Sequence, residues 1–153
     1  MISGTNKVVI RKATQEDLDA IKALADTHRY ELGFVRRPAL AEAVDRREVL
    51  VAYDCQDLVG FAEYRHRQDA QTTMYHIVVK QEYRGQGIGR ALMEALRDEA
   101  QFEGKQVVRL KCPADLAANC FYKSVGYRLV GEETGKRRSL IIWELPIQPS
   151  LSS

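Results

Sequence analysis

The sequence predicts an α/β chain of the α+β type, a mostly antiparallel central sheet flanked by helices in the order βααβββαβαββ. Three observations carry that expectation. Short apolar runs at 49–52, 58–65 and 72–79 follow one another through polar turns and read as an antiparallel meander. Helical spacing governs two other stretches, where Leu18, Ile21, Leu24 and Ala25, and then Ile88, Leu92, Ala95, Leu96 and Ala100, fall on one face. Between the last meander strand and the second stripe lies Arg84-Gly85-Gln86-Gly87-Ile88-Gly89-Arg90, which turns a strand directly into a helix.

Taken in order, Val8-Val9-Ile10 reads as a first strand, and Thr14 with Asp17 opens a helix that runs to about Tyr30. Gly33 interrupts, Pro38 suits the first turn of a short helix through Val44, and Val49-Leu50-Val51-Ala52 returns to strand. Asp54 to Asp57 is a hairpin turn, and Arg67-Gln68-Asp69 joins the strands Leu58 to Arg65 and Thr72 to Val79. After the glycine-broken junction the second stripe buries against the sheet, with Gly104 as its stop. Val107 to Leu110 is a short buried strand, and Asp115 begins a helix through Ser124 that Gly126 ends. Tyr127 to Val130 and Ser139 to Leu145 close the chain as a hairpin around Thr134-Gly135-Lys136.

The glycine-broken junction is built to hold a pyrophosphate. A helix start leaves its first N–H groups unpaired and adds a partial positive charge, so a phosphate there gains hydrogen bonds and dipole attraction. Gly85, Gly87 and Gly89 remove the Cβ atoms that would fence off the amides from Gln86 to Arg90, and Arg84 and Arg90 flank them with charge. Two better-known loops do not fit. A Walker-type loop needs Gly-Lys followed by Ser or Thr, whereas Gly89 is followed by Arg90 and Ala91. A dinucleotide fingerprint needs Gly-x-Gly-x-x-Gly in an opening βαβ unit, whereas these glycines alternate behind a meander.

With 153 residues, 17.4 kDa and 45% hydrophobic residues, the chain fits a single domain over 1–153, with loose ends at about 1–6 and 147–153. A net charge of +2 from 23 basic and 21 acidic residues gives no argument for a nucleic-acid partner. Cys55, Cys112 and Cys120 form neither a disulfide framework nor a metal-ligand spacing, so a reducing compartment and no metal are expected. No apolar run reaches the ~18 residues of a membrane helix and no leader pattern opens the chain, so a soluble, cytoplasmic protein without a membrane partner is expected.

The glycine junction, its preceding strand Ile77-Val78-Val79 and the later Asn119-Cys120-Phe121-Tyr122-Lys123 followed by Gly126-Tyr127 together resemble the GNAT family of N-acetyltransferases. That family's signature is Arg or Gln, two residues, Gly, one residue, then Gly or Ala, which Arg84, Gly87 and Gly89 match. The resemblance spans nearly the whole chain. It implies a mixed sheet splayed beside the strand that enters the glycine loop, with acetyl-CoA as cosubstrate. The backbone of Ile77, Val78 and Val79 would take the pantetheine arm, the loop from Arg84 through Ile88 to Arg90 the pyrophosphate, and Asn119 would reach the cofactor.

Transfer of an acetyl group from a thioester to an amine requires an uncharged amine and a proton for the departing thiolate. Tyr122 matches the family's tyrosine, and a phenol keeps its proton at neutral pH. Two residues are candidates for the general base: His76, on the strand entering the loop, and Glu63, a carboxylate in an otherwise apolar strand that calls for a partner. Cys112 and Cys120 read as inert buried thiols. The acceptor, an amino acid, peptide or other small amine, is expected to meet Tyr30, Phe34, Arg36 and Arg37 after the first helix, and Arg137 and Trp143 on the closing hairpin. That hairpin also makes a homodimer a family-implied expectation. The alternative to an enzyme is a module that binds or senses acyl-CoA without catalysis, although a sensor needs no proton donor.

Overall fold

The computed structural model describes residues 8–148, so the expected loose N-terminal end at 1–6 lies outside the described residues. The elements are β1 (Val8–Lys12), a 3-10 turn (Gln15–Asp17), α1 (Leu18–Asp26), α2 (Arg29–Leu32), α3 (Arg37–Asp45), β2 (Val49–Asp54), β3 (Asp57–His66) and β4 (Gln71–Val79). A second 3-10 turn (Gln81–Tyr83) leads to α4 (Ile88–Phe102), β5 (Val107–Pro113), α5 (Ala118–Ser124), β6 (Arg128–Thr134) and β7 (Ser139–Pro146). The strands form one seven-stranded sheet in the order β1-β2-β3-β4-β5-β7-β6. β1–β2, β2–β3, β5–β7 and β6–β7 pair antiparallel, while β4 and β5 pair parallel. The sheet is thus mixed and mostly antiparallel, as expected.

The chain divides into two compact units, one of residues up to Tyr64 together with His76–Leu96, the other of Arg65–Tyr75 together with the residues from Arg97 onward. The first is built on Ile21 and Leu24 of α1, Leu40 and Ala43 of α3, Val49 and Val51 of β2, Phe61 of β3 and Val78 of β4, all buried. Removing each large aliphatic side chain from water is worth about 1.5–3 kcal/mol. The helical stripe read from sequence supplies Ile88, Leu92 and Leu96 here, all buried. Asp17 ties the start of this unit together. Its carboxylate accepts both nitrogens of the Arg11 fork at 2.8 and 3.0 Å, the Tyr53 hydroxyl at 2.6 Å and the Thr14 backbone N–H at 2.7 Å.

The continuous helix expected from Thr14 to Tyr30 is instead a 3-10 turn, α1 and the separate four-residue α2. Thr27 explains the break. Its hydroxyl donates to the Leu24 carbonyl at 2.8 Å, and the next amide, His28, drops back to Ala25 at 3.0 Å, so the side chain competes with the helical ladder.

In the second unit Val108 and Leu110 of β5, Ile142 and Trp143 of β7, and Tyr122 and Tyr127 form the buried centre. Asp115 does not begin the helix as expected, since α5 starts at Ala118 and Asp115 is held in the preceding loop by Arg138, whose Nη2 donates to both carboxylate oxygens at 2.9 and 3.0 Å and whose Nε donates at 3.2 Å. Of the expected loose C-terminal end, 147 and 148 are held in place, and 149–153 lie outside the described residues. Ile147 is buried, its N–H donates to the Gln106 carbonyl at 2.8 Å, and the Gln148 carbonyl accepts from Gln101 at 2.9 Å.

Candidate active site

The glycine junction folds as a tight strand-to-helix turn. Gly85 and Gly87 have φ of 80° and 88°, a backbone region that a side chain disfavours, and a Cβ on either would meet no atom within 4 Å. Their spacing therefore answers first to backbone shape and leaves the space before them open. The Ala91 N–H makes the bond back to the Gly87 carbonyl at 3.0 Å, so the amides of Ile88, Gly89 and Arg90 precede the helical ladder. Gln86 and Arg90 are exposed beside them. Arg84 is engaged differently from a free flanking cation. Its Nε donates to the Val79 carbonyl at 2.9 Å, and its fork stands 3.7 Å from Glu31 of α2. Tyr83 fastens the same turn to the β2–β3 hairpin through Asp54 at 2.8 Å, and Lys80 does so through Asp57 at 2.9 Å.

β4 carries the other half of this arrangement. Its parallel ladder with β5 covers Gln71–Met74 against Val107–Leu110 and includes none of Tyr75, His76, Ile77, Val78 or Val79. Side chains alternate along a strand, so His76 shares a face with buried Val78, and Glu63 shares one with Phe61, both in the core against α1 and α3. Val79 faces the other way, since a Cβ on Gly60 would stand 3.3 Å from Leu92 Cδ1 and 3.5 Å from Val79 Cγ2. The structure brings the two base candidates together as one pair, with His76 Nδ1 2.8 Å from Glu63 Oε1. A carboxylate oxygen accepts, so this contact is made by an Nδ1–H, which leaves Nε2 as the ring nitrogen outside the pair. Glu63 is 8% exposed, and the partner its burial calls for is His76.

Tyr122 and Asn119 stand on α5 in the second unit. Tyr122 is buried, its ring tilted against Phe121 at 5.6 Å and Tyr127 at 6.2 Å between centroids. The Asn119 amide donates to the carbonyls of Pro113 and Leu116, both at 2.9 Å, and its oxygen accepts the Trp143 indole N–H at 2.8 Å. Trp143 is thereby buried inside the unit and is not the exposed acceptor contact that the sequence suggested. Tyr30 and Phe34 are exposed, Arg37 pairs with Asp19 at 2.5 Å, and Arg36 and Arg137 are exposed. Of the expected buried thiols only Cys112 is buried, and burial pushes it up to about 11; Cys120 is exposed. Among the described residues no group of three or more His, Cys, Asp or Glu side chains is placed to hold a metal ion, and no helix is long and apolar enough to cross a membrane.

What the sequence does not reveal is the long-range pins, even where, as with Asn119 and Trp143, the residues themselves stand out. Lys80–Asp57, Tyr83–Asp54 and Trp143–Asn119 join positions 23, 29 and 24 apart, a separation for which no local pattern exists.

The fold is thus a mixed, mostly antiparallel α/β sheet whose strand β4 runs through an Arg-x-x-Gly-x-Gly turn into a helix start with amides that precede its ladder. The acetyltransferase (GNAT) domain matches residues 45–129, and the chain belongs to the GNAT acetyltransferase family. It is similar to the ribosomal protein bS18-alanine N-acetyltransferase of Escherichia coli (strain K12), 36% identical over 84 residues that cover 50% of this chain and 57% of that protein. The match thus spans little more than half the length of the curated relative. Among solved structures, the ribosomal-protein-S18-alanine N-acetyltransferase from Escherichia coli aligns with a TM-score of 0.78 and 24% identity over 94% of this chain and 96% of that one. Ard1 from Thermoplasma volcanium aligns at 0.83 and 18% over 93% and 99%. The putative acetyltransferase yncA from Salmonella typhimurium, solved with its cofactor acetyl-CoA, aligns at 0.78 and 22% over 96% and 98%. At these identities the structural likeness establishes the fold.

Proposed function

We propose that this chain is an acetyl-CoA-dependent N-acetyltransferase whose acceptor is the amine of a peptide or amino acid. One observation carries the reading: β4 leaves its pairing with β5 at Met74, sets His76 against Glu63 and runs into an open helix start. That geometry fits the cosubstrate. The free edge of Ile77 and Val78 suits an extended amide-bearing arm, and the amides from Gln86 to Arg90 suit a pyrophosphate. Bound there, acetyl-CoA supplies the thioester carbonyl that the acceptor nitrogen attacks, and the carbon–sulfur bond breaks as the amide bond forms.

The protein's part is proton handling. Glu63 holds the His76 ring by its Nδ1–H and supports the positive charge that forms when Nε2 takes the acceptor's proton. Tyr122 gives its hydroxyl proton to the departing sulfur. The relative named above acts on an alanine of a ribosomal protein, and exposed Arg36, Lys136 and Arg137 repel a bare polycation, so both favour a peptide-like amine over a polyamine. A cytoplasmic location and pairing of two copies through the β6–β7 hairpin belong to the same proposal.

The test follows CoA release with an alanine-initiated peptide and with spermidine. The peptide should be preferred at low salt, and Glu63→Gln should cut its turnover about 10²-fold, the low end of general acid–base contributions. Full turnover by Glu63→Gln, or preference for spermidine, overturns the corresponding half of the reading.

A further inference from the structure

Asn119 is the residue whose surroundings disagree most with its expected role. A cofactor ligand needs a free donor or acceptor, yet the Nδ2 group donates to the carbonyls of Pro113 at the end of β5 and of Leu116 in the turn before α5, and Oδ1 already accepts from Trp143. An amide side chain has two donors and an acceptor oxygen, so little capacity is left. Turning it toward a ligand would break three bonds and leave the indole N–H of a buried tryptophan without its acceptor.

The same bonds have a different use. Residues 114–117 connect β5 to α5 as a turn in which the Pro113 carbonyl accepts the Leu116 N–H at 3.1 Å and the Leu116 carbonyl accepts the Asn119 N–H at 3.3 Å. The Asn119 side chain adds a second bond to each of these two carbonyls and so clamps the turn, while Trp143 anchors Asn119 to β7, a strand held on both sides, against Leu110 of β5 and Leu129 of β6. The first turn of α5 is thus fixed to the sheet by a side-chain strut. Tyr122 is three residues further along the same helix, so its face follows that of Asn119. The helix has only seven residues and no side-chain cap of its own, and its register depends on this outside support.

We infer that Asn119 and Trp143 form a positioning pair that sets the hydroxyl of Tyr122, and that Asn119 does not bind the cosubstrate. This rests on the acetyltransferase reading above. The chain has a single tryptophan, so Trp143 reports on the pair directly.

Two measurements test it. In the first, CoA binding is followed by equilibrium dialysis while the emission maximum of Trp143 is recorded. Asn119→Ala alone should shift that maximum by removing the indole's acceptor, whereas saturating CoA should leave the wild-type maximum in place. A CoA-induced shift matching that of Asn119→Ala means that Asn119 leaves Trp143 to bind the ligand, and the inference is wrong. In the second, Trp143→Phe keeps an aromatic side chain but deletes the donor. It should lower kcat about tenfold with the CoA dissociation constant unchanged, and add nothing further in a Tyr122→Phe background, because both act on one proton transfer. Additive losses in the double variant, or an unchanged kcat in Trp143→Phe, overturn the positioning role. A folded wild-type protein that binds no CoA overturns the function itself, which the dialysis alone reveals.

Discussion

Replacing Gly87 with alanine separates the two things that glycine does. With φ at 88° and no atom within 4 Å of a Cβ, the methyl group meets no steric obstacle, so the cost to the fold is that of the left-handed backbone alone, about 1–2 kcal/mol. For a chain of this size, 1 kcal/mol moves the midpoint by roughly 2–4 °C, so the variant should melt about 2–8 °C lower. Acetyl-CoA at a hundredfold excess over its dissociation constant adds about 2.7 kcal/mol to the wild type, a rise of roughly 5–11 °C. In Gly87→Ala that rise should vanish, since the methyl group fills open space beside the amides of Ile88, Gly89 and Arg90 that the pyrophosphate needs. Gly104, with φ of 75° and an equally open Cβ position, is the matched control. Gly104→Ala should melt lower by a similar amount yet keep the full ligand-induced rise. Thermal scans of the three proteins with and without acetyl-CoA decide the matter: an undiminished rise in Gly87→Ala refutes the helix-start site.

Two further predictions concern stability. The Arg11 fork, with Tyr53 and Thr14, holds the Asp17 carboxyl well below the usual carboxylate range, outweighing the opposing effect of burial. Its contribution is therefore full above the ordinary carboxylate pKa of about 4 and is lost as pH falls toward the folded value. Asp17→Asn should cost about 2–3 kcal/mol at pH 7, below the range for a fully buried pair because Arg11 is half exposed, and the gap to wild type should narrow below about pH 4; a gap that persists unchanged in acid denaturation curves at pH 2.5 counts against the network. The Tyr127 hydroxyl is buried and finds no hydrogen-bond partner among the described residues, so Tyr127→Phe should stabilise by about 1 kcal/mol in urea unfolding, and a loss of stability would show that the hydroxyl is satisfied.

What the sequence made legible was local. The turn from Arg84 to Arg90 could be read because its chemistry lies in consecutive residues, and the face of α4 because Ile88, Leu92, Leu96 and Ala100 repeat at helical spacing. The pairing of His76 with Glu63 could not. Each was visible as an ionisable group on its own strand, but their contact depends on the β3–β4 register, and a shift of one residue would turn them to opposite faces. That hairpin end is fixed by Lys105, which donates to the carbonyls of Arg67 and Asp69 from a distant loop. Asp115 looked like a helix cap because aspartate is a good one, yet Arg138, far along the chain, claims its carboxylate. The break after α1 turned on one hydroxyl, that of Thr27, choosing a backbone carbonyl over solvent.

The irregularity in β6 has a bearing on crowded solutions. Leu129 stands opposite Trp143 and Gly131 opposite Ile142, so Val130 is an extra residue in a strand at the margin of the sheet. Leu129 and Val130 are exposed there, and a straight strand with such side chains would invite another chain to extend the ladder. The bulge interrupts the outward row of amides and carbonyls and sharpens the local twist, so an incoming strand loses its register within a few residues. Stickiness at this margin is thereby confined to side-chain contact between a limited number of molecules, and growth of an indefinite β-fibril from it is blocked by the backbone itself.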